Sequence, residues 1–210
     1  MLEPNFTPFP EIATGSLLLS RIQNKHSAEL LELRSSEKVM QYIDKERTKT
    51  IGEIAALIKS IDDDIINNDG ITWCISFKED PDKLIGSIGF WRIIKENHRA
   101  EVGYMMHPDY WGKGLVKEAL QAVIDFGFTE MKLHSIEAHI NPGNAASAGL
   151  LEKTGFVREA YFKEDYFFRG QFLDTAIYSL LNKKQGPVLI KNSALRFTLS
   201  LINYIFGNST

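Results

Sequence analysis

With 210 residues, 44% of them hydrophobic, the chain is long enough to bury one substantial core, and no Pro-, Gly- or Ser-rich linker divides it. A formal net charge of −3, with lysines scattered among acids, gives no electrostatic basis for nucleic-acid binding, and the single cysteine, Cys74, excludes an internal disulfide and any multi-cysteine metal site. No apolar run approaches the roughly 20 residues that span a bilayer, and the N-terminus lacks a basic segment followed by an apolar one, so the expectation is a soluble, cytoplasmic protein with no membrane partner.

In chain order, "SLLLSRI" (16 to 22) reads as a strand, and "QNKHSAELLELRSS" as a helix through Leu30, Leu31 and Leu33, with Asn24 or Ser27 as cap. The segment "TIGEIAALIKSIDDDIIN" opens with Thr50 three residues before Glu53, a capping box, and carries Ile51, Ile54, Ala55, Ile58, Ile61 and Ile65 along one stripe of a second helix. Three strands follow, at 71 to 78, 84 to 94 and 100 to 107, and their short polar connections predict an antiparallel meander. From Leu115 the period changes, and Leu115, Ala119, Ala122, Val123 and Phe126 predict a helix to about Glu130. A strand at 135 to 140, a helix at 144 to 154 closed by Gly155, and a final antiparallel pair joined through "RGQFL" complete the pattern. The tail "ALRFTLSLINYIFGNST" is apolar and fits both a strand and a helix period.

The stretch "HPDYWGKGLVKEA" places Gly112 and Gly114 where a strand gives way to a helix. Main-chain N–H groups without intrahelical partners converge at such a junction, and they and the helix dipole favour an anion; glycine permits close approach or a positive φ. A tight turn with no ligand is the plainer reading. The motif is not a Walker A loop and lacks the third glycine of the dinucleotide fingerprint.

Three blocks in this order, "AEVGYMMHPDYWGKGLVKEALQAVIDFGF", "HSIEAHINPGNAASAGLLEKTGF" and "DTAIYSLL", resemble the GNAT superfamily of acetyl-CoA-dependent N-acetyltransferases, in its RimJ/RimL-like branch. The resemblance implies an α/β fold with a mixed, mostly antiparallel sheet flanked by helices. It also implies a GNAT domain over 9–182, with 183–210 as a C-terminal extension. Independently of the resemblance, residues 193 to 206 are too apolar to stay solvated and are expected to cover a groove on the domain or a second subunit, as in a homodimer. By the same resemblance the cosubstrate is acetyl-CoA. Its pyrophosphate would meet the amides of Trp111, Gly112, Lys113, Gly114 and Leu115, and its pantetheine arm the backbone of Met105, Met106 and His107, beside Asn144.

Acetyl transfer to an amine requires a base or water path for the amine proton and a donor for the leaving thiolate. On the family's pattern Glu101 is the first candidate for the base, and pairing with Arg99 or Arg92 is its structural alternative. Ser147 matches the family's serine beside the thiolate; bonding to an upstream carbonyl is its alternative. Two positions depart from the family: Leu151 stands where other branches carry a tyrosine acid, and Tyr166 aligns with a RimL-type glutamate, leaving Glu164 as a second candidate base. His107, His134 and His139 lack partners at metal-ligand spacing, and no metal is assigned. The acceptor is expected to be a primary amine: a protein N-terminus, a polyamine or an aminoglycoside. Its choice would reside in residues 24 to 68 and 164 to 172, although Asp62, Asp63 and Asp64 read as a solvated helix end. A non-catalytic acyl-CoA sensor is the rival from another class.

Overall fold

A computed structural model describes residues 1–183; the apolar tail lies outside the described residues. Eight strands form one open sheet in the order β1-β2-β3-β4-β5-β6-β8-β7. They are β1 (Ile12–Ala13), β2 (Leu17–Arg21), β3 (Ile71–Phe77), β4 (Gly86–Ile94), β5 (Arg99–Met106), β6 (Ser135–Ile140), β7 (Val157–Phe168) and β8 (Gln171–Leu181). All neighbours pair antiparallel except β5 and β6, which are parallel because α4 (Leu115–Thr129) carries the chain across one face between them.

Strand alternation divides the core. Trp73 and Ile75 of β3, Ile88 and Phe90 of β4, and Val102 of β5 face α4 with Leu120 and Val123. Residues one step out of phase, including Cys74, join Ile22, Leu84 and the buried faces of α1 (Ser27–Ser35) and α3 (Ile51–Asn67) on the opposite side. Ile54 and Ile58 of α3 are almost fully buried there, each contributing about 1.5–3 kcal/mol of transfer free energy.

The α3 helix starts at the expected cap: the Thr50 hydroxyl accepts from the Glu53 amide at 3.2 Å. The return arm reaches one residue further back, with Glu53 Oε2 accepting from the Lys49 amide. Asn68, in the left-handed region at φ 55°, ends the helix. Neither Asn24 nor Ser27 caps α1; a 3-10 turn over Asn24–His26 precedes it, and the Ser27 hydroxyl donates to the Asn24 carbonyl. Ahead of the expected domain start at residue 9, Leu2 and Phe6 are buried in the core and the Leu2 amide bonds the Lys95 carbonyl.

Candidate active site

Pairing between β5 and β6 ends after three residue pairs, Arg99 with Ser135, Ala100 with Ile136 and Glu101 with Glu137. Beyond Glu101, β5 stays with β4 as far as Gly86–Met106, while β6 follows β8, so the two strands part. The His107 amide donates to the Ile85 carbonyl. By alternation, the odd-numbered residues of this run therefore direct their backbone groups at β4 and the even-numbered ones, Tyr104 and Met106, at the gap. This corrects the expected set: the backbone groups of Met105 and His107 are turned to β4, and Met106 O accepts from Trp111 Nε1 at 2.7 Å.

After His107, a 3-10 turn over Pro108–Tyr110 leads to the glycine pair. Gly112 and Gly114 have φ of 74° and 80°, a region costly for residues with a Cβ, and an added Cβ at either would meet only open space. The Trp111 amide is bonded to the Pro108 carbonyl, so it leaves the expected set; the first α4 amide with a backbone acceptor is that of Glu118, to Gly114. The amides from Gly112 onward thus face outward at the positive end of a 15-residue helix. Leu115, buried, anchors the first turn. Two cations flank the loop: Lys38 of α2 (Glu37–Met40) lies 5.1 Å from the Trp111 ring centroid and Lys113 5.4 Å from that of Tyr110. His107 Nδ1 accepts from the Asp109 amide, so Nε2 carries the proton toward Glu32, 3.0 Å away.

On the face shared with α1 and α3, a β-bulge in β4 between Trp91 and Ile94 holds Arg92 at φ 47°. The bulge turns its guanidinium onto Glu101, with Nη1 2.9 Å from Oε2. Glu101 is 7% exposed and, among the described residues, Oε1 has no hydrogen-bond partner. Beside it the indole of Trp91 crosses the strand at Gly103, where an added Cβ would come within 1.9 Å of the ring. On β6, Glu137 pairs with Arg99 at 2.9 Å and His139 at 3.3 Å. The residue pattern indicated Glu101 but not the bulge, because Arg92 carries none of the glycine or asparagine signal usual at positive φ.

Helix α5 (Ala145–Lys153) follows β6. Asn144 caps it, its Oδ1 accepting from the Ser147 amide at 3.0 Å. Ser147 does not bond an upstream carbonyl; it is buried, and its Oγ lies 2.7 Å from the Tyr104 hydroxyl, which reaches across the gap from β5. Burial pushes the Tyr104 phenol up to about 12, against a smaller downward pull from the Ser147 hydrogen bond. Tyr104 escaped the sequence reading because it shares the parity of Val102 and reads as core. Leu151 is fully buried, so no side chain takes a tyrosine acid's place there.

Residues 16–157 match the family model of the GNAT acetyltransferase domain. The chain is 32% identical to an uncharacterized N-acetyltransferase, p20, of Bacillus licheniformis over 171 residues, 81% of this chain and 96% of the relative. The chain belongs to the GNAT family of acetyltransferases. The crystal structure of a GNAT-family acetyltransferase from Bacillus anthracis superimposes with a TM-score of 0.73 at 30% identity, covering 82% of this chain and 98% of that one. Over about half of this chain, GNAT relatives include the ribosomal protein uS5-alanine N-acetyltransferase of Escherichia coli, 32% identical across 53% of this chain and 58% of its own length. Another is the spermidine N(1)-acetyltransferase of Vibrio cholerae, 31% identical across 50% and 62%. As a GNAT protein the chain is an acetyl-CoA-dependent N-acetyltransferase with the α/β fold described above.

Glu164 stands exposed at φ 52° in a bulge of β7, its amide on Asp174. Tyr166 instead ties the β7–β8 hairpin to the segment after α2, donating to the Asp44 carbonyl, and Arg169 chelates Glu46. Between hairpin and segment lies a cavity of about 360 Å3, lined by Glu37, Asp44, Arg47, Asn141 and Arg169 among others. Burial pushes the Asp44 carboxyl above its ordinary value. Asp62 and Asp63 pair with Arg21 and Lys59 on the partly exposed end of α3. Among the described residues no group of three or more His, Cys, Asp or Glu could hold a metal, and no helix is long and apolar enough to cross a membrane.

Proposed function

We propose that this chain moves the acetyl group of acetyl-CoA onto a primary amine at the parting of β5 from β6. A protein N-terminus or a small polyamine or aminoglycoside would serve as acceptor. One observation carries the reading: a single gap has outward-facing amides at one end and a buried carboxylate and hydroxyl on its walls. The amides of Gly112, Lys113, Gly114 and Leu115 hold the pyrophosphate, and the free backbone groups of Tyr104 and the Met106 amide, beside Asn144, bond the pantetheine arm. The open space around both glycines fits that guest.

Glu101 takes the amine proton, through a water on its free Oε1, as nitrogen attacks the acetyl carbon. Arg92 fixes the carboxylate for that role. Ser147 donates a hydrogen bond to sulfur as the carbon–sulfur bond breaks. Glu164, exposed on the edge hairpin, is a weaker candidate. Acceptor choice belongs to the cavity under that hairpin; residues from both 24 to 68 and 164 to 172 line it, together with Asn141 and Leu173, which supports this reading. The acceptors named in the relatives support a protein N-terminus or a polyamine, and a cytoplasmic site of action. A homodimer, with 183–210 as an extension beyond the GNAT domain, completes the reading; exposed Phe162, Phe167 and Phe172 on β7 and β8 support it.

The test is CoA release from acetyl-CoA across a panel of amines and peptides. Glu101→Gln should keep acetyl-CoA affinity and lower kcat by roughly 10²–10⁴-fold at neutral pH, the usual size of a general-base contribution. Full turnover by that variant from pH 6 to 9 would remove Glu101 from the role and make Glu164→Gln the next comparison.

A further inference from the structure

The bond between Tyr104 and Ser147 crosses the one place where the sheet is open. Tyr104 projects from β5 three residues past the last pair with β6, and Ser147 lies in the first turn of α5. Their oxygens are 2.7 Å apart, Ser147 is 8% exposed, and among the described residues neither hydroxyl has another partner.

Two hydroxyls own two protons but share one bond, so one O–H is left over whichever way the bond runs. A buried donor without an acceptor is costly, and native structures keep few of them. The direction follows from acidity. A phenol is the stronger acid and hence the better donor, and an aliphatic hydroxyl the better acceptor, so Tyr104 donates to Ser147 Oγ and the serine proton is the one left over. The serine amide is already fixed on Asn144, which leaves rotation about the side-chain bonds as the only freedom the hydroxyl had.

We infer that Tyr104 is a positioning residue for acetyl transfer: its phenol locks the Ser147 hydroxyl as a donor aimed at the sulfur of CoA. This rests on the reading that Ser147 faces the departing thiolate. Tyr104 is not the proton source. With its phenol near 12 and an ordinary thiol near 8.5, transfer to the thiolate runs about 10³-fold uphill. It remains a neutral donor across the working pH range, and the thiolate leaves with a hydrogen bond rather than a proton from this pair.

The test reads the thiol itself. CoA bound to the wild-type protein is titrated by thiolate absorbance, with affinity from calorimetry and folding from the melting temperature. Tyr104→Phe, which removes one oxygen, should bind CoA within about threefold of wild type yet raise the bound thiol's pKa by about half to one pH unit, the equivalent of one hydrogen bond. Ser147→Ala should raise it at least as far, and the double variant no further than Ser147→Ala alone. With a cognate amine, kcat of Tyr104→Phe should fall about threefold to tenfold at unchanged KM for acetyl-CoA. Ser147→Thr, which keeps a hydroxyl, should restore the wild-type titration and provides a second route should Tyr104→Phe fail to fold: a Thr variant titrating like Ala would overturn the inference. An identical titration in wild type and Tyr104→Phe, or full additivity in the double variant, would also overturn it. Absence of amine turnover in wild type, with the thiol titrations as expected, would instead sink the amine-transfer reading and leave the Tyr104–Ser147 device standing.

Discussion

Gly114 sets the backbone of the proposed anion cradle through its own φ of 80°, not through any neighbour it would strike. A β-branched residue there must either hold a left-handed conformation, at a cost of about 1–2 kcal/mol, or swing the loop so that the next amides no longer converge. Gly114→Val should therefore abolish acetyl-CoA binding in calorimetry while the circular dichroism spectrum stays that of the wild type; undiminished affinity would show that the guest is held elsewhere. At this scale the sequence spoke unevenly. Gly112 and Gly114 announced themselves because only glycine accepts such angles freely, whereas Arg92 adopts φ 47° with no residue-type signal, and the orientation of Glu101 depends on it. Tyr104 carried a catalytic-looking hydroxyl, but its parity with Val102 made it indistinguishable from core.

Among the elements, α4 joins the cradle to the opposite edge of the sheet through Glu118, whose carboxylate gathers the Thr14 hydroxyl at 2.6 Å, the Ser16 amide at 2.7 Å and the Ser16 hydroxyl at 2.8 Å. The Thr14 hydrogen bond above all, with those from Ser16, holds this carboxyl below the ordinary glutamate range. A depressed folded-state pKa gives stability that is complete above the unfolded value of about 4.3 and is lost as pH falls through the lower folded one. Glu118→Gln should cost about 1–2 kcal/mol at pH 7 and flatten the acid side of the stability curve, so melting temperatures of the two proteins should converge between pH 5 and pH 3. Parallel curves would mean that the carboxylate contributes nothing specific. Helices α3 and α4 and the β3–β4–β5 meander were legible because each buries one periodic face and ends in short polar turns. The β7–β8 hairpin was legible as a pair but not in its bounds, since its turn uses Arg169 at φ 50° ahead of Gly170 at φ 81°, and β8 therefore begins at Gln171.

At the scale of the whole molecule, strand order and the parting of β5 from β6 could not be read from periodicity, which is local. Residues 193 to 206 were read as too apolar to stay solvated, and the hairpin leaves Phe162, Phe167 and Phe172 48%, 60% and 63% exposed. Truncation after Lys184 should change the mass measured by light scattering or lower solubility. A truncated protein with the mass and melting temperature of the full chain would detach the tail from both roles.

The parting has a consequence for how the protein avoids its own kind. A sheet that opens in the middle acquires two inner edges, and an unpaired edge recruits foreign strands, the first step toward aggregation. Here the free run on β5 extends only from Val102 to Met106 before Pro108, which has no N–H to offer, and on β6 only from Ala138 to Ile140. Trp111 occupies the Met106 carbonyl. What remains is a slot too short and too obstructed to template a passing strand, so the chain keeps a broken ladder in its central sheet without offering a seed for misassembly.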